Sequence, residues 1–139
     1  MKIRDIIGEA RPKGDATTMA PKWFREGSRL SEDDLTRLDA AEFIDGDEFD
    51  YEWRLCRVPV SLLPTLTPEQ IADFDSKEPG RLDGIRAWLR GHGIDALRDR
   101  PIVMVLTSTG IKLLDGWHRS TMAHELRWPM MWAAVGLEG

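Results

Sequence analysis

The residues whose types and spacing suit chemistry fall in one run, Leu113-Leu114-Asp115-Gly116-Trp117-His118-Arg119-Ser120-Thr121-Met122-Ala123. An apolar strand pattern passes through a glycine directly into a helix pattern. At such a junction the first helical N–H groups have no intrahelical partners, and the helix dipole adds positive potential. Gly116 is expected to let a ligand approach the backbone closely. Arg119 brings forked donors that match phosphate oxygens, the plainer alternative being a surface ion pair. His118 adds a second side-chain donor, and Ser120 or Thr121 a hydroxyl. These are the groups a triphosphate needs: several donors converging from a rigid element, in a positive field.

Asp115 stands apart, because a carboxylate beside a phosphate pocket repels the ligand unless it has another task. It either caps the helix, ligates Mg²⁺ or acts as general base for a hydroxyl. For His118 a phosphate contact or proton transfer is the expectation, against a plain helix-end bond to backbone. Arg81 follows the Pro79-Gly80 turn at a helix start, where it either contacts phosphate or is simply solvated. Trp117 reads as a packing residue ahead of a base-stacking platform, and His124 as structural or solvated. His92, between two glycines, reads as a helix-end cap.

These side chains need a frame. Leu55 to Val60 reads as a strand, with Pro59 at an edge or an end because it cannot donate to a ladder. A short helical turn is expected around Pro68 to Phe74. A helix over Leu82 to Arg90 presents Leu82, Ile85, Trp88 and Leu89 on one face. Pro101 to Leu106 is a strongly apolar strand. Thr107-Ser108-Thr109-Gly110 turns it into a partner strand, Ile111 to Leu114. A helix from about Arg119 to Leu126 and a last strand, Met131 to Val135, complete the pattern. The fold class is α+β, a small mixed β-sheet with packed helices.

Upstream, Ser31 with Asp34 three residues on resembles a capping box. Residues 1–30 carry seven Lys/Arg against four Asp/Glu, and residues 31–52 carry ten acids and one Arg. Residues 1–52 therefore read as an N-terminal arm with a short helix and an acidic segment, available to a protein partner, and 53–139 as the folded domain.

The net charge of −5 argues against sequence-independent nucleic-acid binding, which draws on basic clusters. The single cysteine, Cys56, excludes an internal disulfide and reads as a buried, inert thiol. No secretion signal or long apolar run is evident, so a cytoplasmic protein without a membrane partner is expected.

In order and motif, residues 54–136 resemble the ParB/sulfiredoxin superfamily. The resemblance rests on Val58-Pro59-Val60-Ser61-Leu62-Leu63 as opening strand, on the 82–90 helix and on Pro101-Ile102-Val103-Met104-Val105 with its hairpin. The Asp-Gly-x-His-Arg junction at 115–119 then precedes a helix and a closing strand. The resemblance implies a nucleotide, ATP or CTP with Mg²⁺, whose phosphates sit at that helix N-terminus. Sulfiredoxins carry a reactive cysteine where this chain has Trp117, so that activity is not expected. Partition proteins carry Gly-Glu-Arg-Arg, matched here only by Gly116 and Arg119, and continue into a DNA-binding helix-turn-helix, so plasmid partition is not expected.

The motif is closer to the serine-kinase-like members, in which an acidic residue after the first strand acts as base; Glu69 and Glu78 are the candidates. Fold alone does not decide among such activities. The leading expectation is a nucleotide-binding domain doing phosphotransfer or NTP hydrolysis, with Asp115 and His118 catalytic. A catalytically silent binding or regulatory module of a phage or mobile element, a DNA-binding or nuclease protein, and an ADP-ribosylating toxin stay open.

Overall fold

The computed structural model describes residues 20–139. Its frame is a five-stranded mixed sheet in the order β1-β2-β5-β3-β4: β1 Ser28–Arg29, β2 Glu52–Pro59, β3 Ile102–Thr107, β4 Gly110–Asp115 and β5 Met130–Leu137. Six α-helices accompany it among the described residues: α1 Lys22–Arg25, α2 Glu32–Thr36, α3 Gly46–Phe49, α4 Pro68–Lys77, α5 Arg81–His92 and α6 Trp117–Glu125. The α+β class and the mixed sheet read from the sequence are both present.

The sequence dictates these elements locally. In β3, Ile102, Met104 and Leu106 enter one core cluster while Val103 and Val105 enter another. A strand buried on both faces has no polar face to alternate with, hence the continuous apolar run. Ser108 and Thr109 turn β3 into β4, with Thr107 paired to Gly110. Pro59 lies at the end of β2, opposite Met130, beyond the stretch that β1 covers, so its missing N–H costs no ladder bond. β3 and β5 run parallel, and β2 and β4 flank that pair antiparallel.

The first core cluster joins that face of the sheet to α1, α5 and α6 through Phe24, Leu82, Leu89, Met122 and Ala123. The second cluster lies on the opposite face. Leu35, Ala40 and Ile44 cover Trp53, Val103, Val105 and Ala134 there. Trp53 lies over the backbone of β5, so a Cβ on Gly136 would meet its ring at 2.7 Å. Its indole N–H donates to the Glu48 carbonyl at 2.7 Å.

Residues 20–52, the described part of the expected arm, pack on both faces of the sheet, Phe24 on one and Leu35, Ala40 and Ile44 on the other. Phe24 is fully buried, and β1 adds a strand to β2. The capping box at α2 is formed by Ser31 and Asp34. The acidic stretch supplies apolar anchors, Ile44 buried and Phe49 and Tyr51 partly so, and its carboxylates mostly point to water. Alternation of acids and aromatics looks loop-like because no element there exceeds five residues. The basic segment before residue 20 lies outside the described residues.

Candidate functional site

Asp115 ends β4 and Trp117 begins α6, with Gly116 between them as the helix N-cap. Opposite this junction the β3–β4 pairing slips: Val103 faces Asp115 while Met104 faces Leu113. Leu114 is thus an extra residue in β4. Such a bulge bends the strand and re-aims the neighbouring side chains, and Asp115 is the very next residue.

Gly116 is needed by the packing of the corner itself. Its φ is 108°, a region that favours glycine, and a Cβ there would lie 2.2 Å from Ile102 Cγ2. The residue is buried against the start of β3, so its missing side chain makes room for Ile102, and it also belongs to the cleft lining. The first intrahelical bond of the junction runs from Ser120 N–H to the Gly116 carbonyl at 2.8 Å. The N–H groups of Trp117, His118 and Arg119 precede it in the first turn, where helical donors have no intrahelical acceptor.

These residues form one wall of a cleft of about 840 Å³. Another wall is the α5 surface bearing Arg81, Gly84, Ile85 and Trp88, and the loops Arg37 to Ala40 and Asp99 to Pro101 close the rest. Four arginines (Arg37, Arg81, Arg100, Arg119) and three aspartates (Asp39, Asp99, Asp115) are among the residues that line it. Cations thus exceed anions at the cleft of a chain that is acidic as a whole.

Arg119 lies low in this wall, its side chain about three-quarters shielded from solvent. Its Nη2 donates to Asp115 Oδ2 at 3.2 Å, and Nη1 donates to the Arg100 carbonyl. Asp115 caps nothing: no side-chain bond reaches the α6 N-terminus, and its carboxylate pairs with Arg119 one turn on. Burial lowers the Arg119 pKa, and the Asp115 carboxylate opposes that effect. A guanidinium remains charged regardless.

His118 projects beside α4, its ring centroid 4.1 Å from that of Phe74. Burial lowers its pKa first, and the Arg81 charge lowers it further; Glu78 and Asp115 push the other way. Arg81 stands at the first position of α5, its guanidinium 6.0 Å from the Phe74 ring. It pairs with Glu78 at 2.6 Å, with more than half of its side chain exposed. Glu78 is thereby occupied, and Glu69 is exposed on α4, outside the cleft lining.

Two expected contacts lie elsewhere. Ser120 is fully buried, and its hydroxyl donates to the Pro64 carbonyl at 2.7 Å. The Thr121 hydroxyl donates to the Trp117 carbonyl at 2.7 Å and accepts from Leu66 N–H at 2.9 Å. Both hydroxyls tie α6 to the segment between β2 and α4, and neither residue lines the cleft. A hydroxyl one turn into a helix faces the protein when its neighbours do, and Met122 and Ala123 are buried too. His124 joins them, its Nε2 2.8 Å from the Leu63 carbonyl, in the structural role expected.

Two tryptophans stand at the cleft, Trp117 and Trp88, the latter expected on the inner face of its helix. Trp88 and Trp117 are among the most exposed large hydrophobics, at 39% and 37%. The inner face of α5 is made by Leu82 and Leu89, and Trp88 lies off it. His92 stacks on Trp88, centroids 4.2 Å apart and planes 16° from parallel, and its Nδ1 lies 2.8 Å from the Trp88 carbonyl. The same bond makes His92 a helix-end cap, as read from sequence.

No group of three or more His, Cys, Asp or Glu side chains suited to a metal ion occurs among the described residues. No helix among them is long and apolar enough to cross a membrane. Comparison with protein-family models, with curated proteins and with solved structures finds no match.

Proposed function

We propose that this cleft binds a nucleoside phosphate, with the phosphates at the α6 N-terminus and Arg119 and Arg81 as their side-chain partners. One observation carries the reading: the first turn of a nine-residue helix and four arginines line one cleft together with two exposed tryptophans. Phosphate is favoured at such a helix end by both the free donors and the dipole. The resemblance of the Asp-Gly-x-His-Arg run to the ParB/sulfiredoxin superfamily points the same way, toward ATP or CTP.

The chemistry that suits this arrangement is phosphoryl transfer or nucleotide hydrolysis, in which positioning and charge neutralisation do most of the work. Asp115 would accept the proton of the attacking hydroxyl or water, and His118 would contact the phosphates or carry a proton. For Asp115 to act as base, Arg119 has to leave it for the phosphates. A Mg²⁺ ion fits only as a companion of the phosphates, since it is commonly held by one or two carboxylates together with substrate oxygens. The cytoplasm, which supplies such nucleotides and keeps a lone thiol like Cys56 reduced, is the compartment we assign.

Isothermal titration of the whole chain with ATP and with CTP, in Mg²⁺ and in EDTA, tests the reading. Saturable binding to the wild type that Arg119→Ala weakens by about tenfold or more, the loss of a charge-assisted contact, supports it. Absence of binding in all four conditions overturns it.

A further inference from the structure

Helix α5 carries a cation at its start and an indole two turns later, on the surface that forms the cleft wall. Arg81, Gly84, Ile85 and Trp88 all line the cleft. Trp88 lies seven positions after Arg81, so their backbones are ~10 Å apart along the axis at the usual helical rise. That distance is close to the span from the base of an extended mononucleotide to its outer phosphates. Trp117, by contrast, is the first residue of α6 and sits beside the donors themselves.

The middle of the wall is open. Gly84 has no side chain, and a Cβ built there meets no atom within 4 Å. Glycine within a helix is less favourable than alanine. No packing contact at this position accounts for it. The Trp88 ring is held in place by the stacked His92, while about two-fifths of the residue stays exposed. A large aromatic surface that is oriented, exposed and set in a cleft with cations is the arrangement on which bases stack.

We propose that α5 is the ruler of the site: Trp88 seats the base, the gap at Gly84 admits the sugar, and Arg81 reaches the outer phosphates. This deepens, and rests on, the reading of the cleft as a nucleoside phosphate site. The ligand class becomes a mononucleoside di- or triphosphate bound along α5 with its base away from the α6 N-terminus. Stacking tolerates every base, so purine and pyrimidine nucleotides should bind with affinities within about an order of magnitude of each other.

The test compares ATP, CTP and inorganic triphosphate by calorimetry on wild type, Trp88→Ala and Gly84→Leu, with helix content checked by circular dichroism. Both substitutions replace exposed helical residues by better helix formers, so the fold should persist. Trp88→Ala should weaken ATP and CTP by roughly tenfold, within the range lost with a stacked base, and leave triphosphate binding unchanged. Gly84→Leu should abolish nucleotide binding by filling the gap.

Wild-type nucleotide affinity retained in Trp88→Ala, or in Gly84→Leu, overturns the ruler while leaving the nucleotide site standing. Equal loss of triphosphate and nucleotide binding in Trp88→Ala also overturns it, because the indole would then serve the phosphates or the fold. A wild type that binds none of the three ligands overturns both the ruler and the site.

Discussion

Arg119 Nη2 lies 3.2 Å from Asp115 Oδ2, so the cation offered to a phosphate and the carboxylate offered as a base hold each other. The pair joins the last residue of β4 to the first turn of α6. A ligand that draws Arg119 away releases Asp115 at the same moment, which couples binding to the appearance of a base. Asp115→Asn separates the two roles. Removing a partly exposed partner worth ~0.5–1 kcal/mol should tighten nucleotide binding by roughly two- to fivefold. Turnover, where present, should fall by about 10²–10⁴ with the general base gone. Calorimetry and phosphate-release assays on the same preparation read both effects. Weaker binding in Mg²⁺ with no change in EDTA would make Asp115 a metal ligand instead.

Gly116→Ala should unfold or severely destabilise the protein. The added methyl meets Ile102 Cγ2 at 2.2 Å, and the backbone has φ 108°. Overpacking and a left-handed non-glycine residue together cost about 3 kcal/mol. Denaturant titration checks this. A variant as stable as wild type would mean that the β4–α6 corner has room to spare and that Gly116 serves a ligand after all.

Much of this frame was legible in the sequence. The β3–β4 hairpin, α5, α6 and β5 follow from apolar runs punctuated by Gly and Pro, and only their ends moved by a few residues. The packing of residues 20–52 was not legible, because Phe24, Leu35 and Ile44 reach the two faces of the sheet from, or just after, elements of three to five residues, too short to show a period. At the site, the motif placed Asp115, His118 and Arg119 on the cleft. It could not tell which way Ser120 and Thr121 face, nor that Ile102, fourteen residues upstream, claims the space over Gly116. Arg37, Arg100 and Trp88 come from distant segments and carry no local signal of their role.

Thr121→Val should loosen the tether between α6 and the segment before α4. The substitution leaves Leu66 N–H without its acceptor at 2.9 Å. An orphaned, partly buried donor costs about 1–3 kcal/mol, seen as a lower urea midpoint. Nucleotide affinity should stay within twofold of wild type, since Thr121 does not line the cleft. A selective loss of affinity with unchanged stability would return Thr121 to the ligand.

His118 gives a pH signature with a definite sign. Its pKa is lowered by burial and by Arg81, so the folded state favours the neutral ring. Between the lowered value and the ordinary value near 6.5, the unfolded chain binds more protons than the folded one. The stability that His118 contributes is therefore complete above about pH 7 and is lost as pH falls through the folded value. Urea midpoints measured from pH 7.5 to 5 should decline, and His118→Gln should flatten part of that decline. An identical decline in the variant would assign it to other groups.

The most direct test of the nucleotide site is a structure of the chain with a non-hydrolysable ATP or CTP analogue at saturating concentration. The expected density runs along the cleft, with phosphate oxygens at the N–H groups of the first turn of α6 and Arg119 drawn from Asp115 onto them. A cleft that stays empty at saturation, or an analogue bound elsewhere while Arg119 remains on Asp115, contradicts the nucleotide reading.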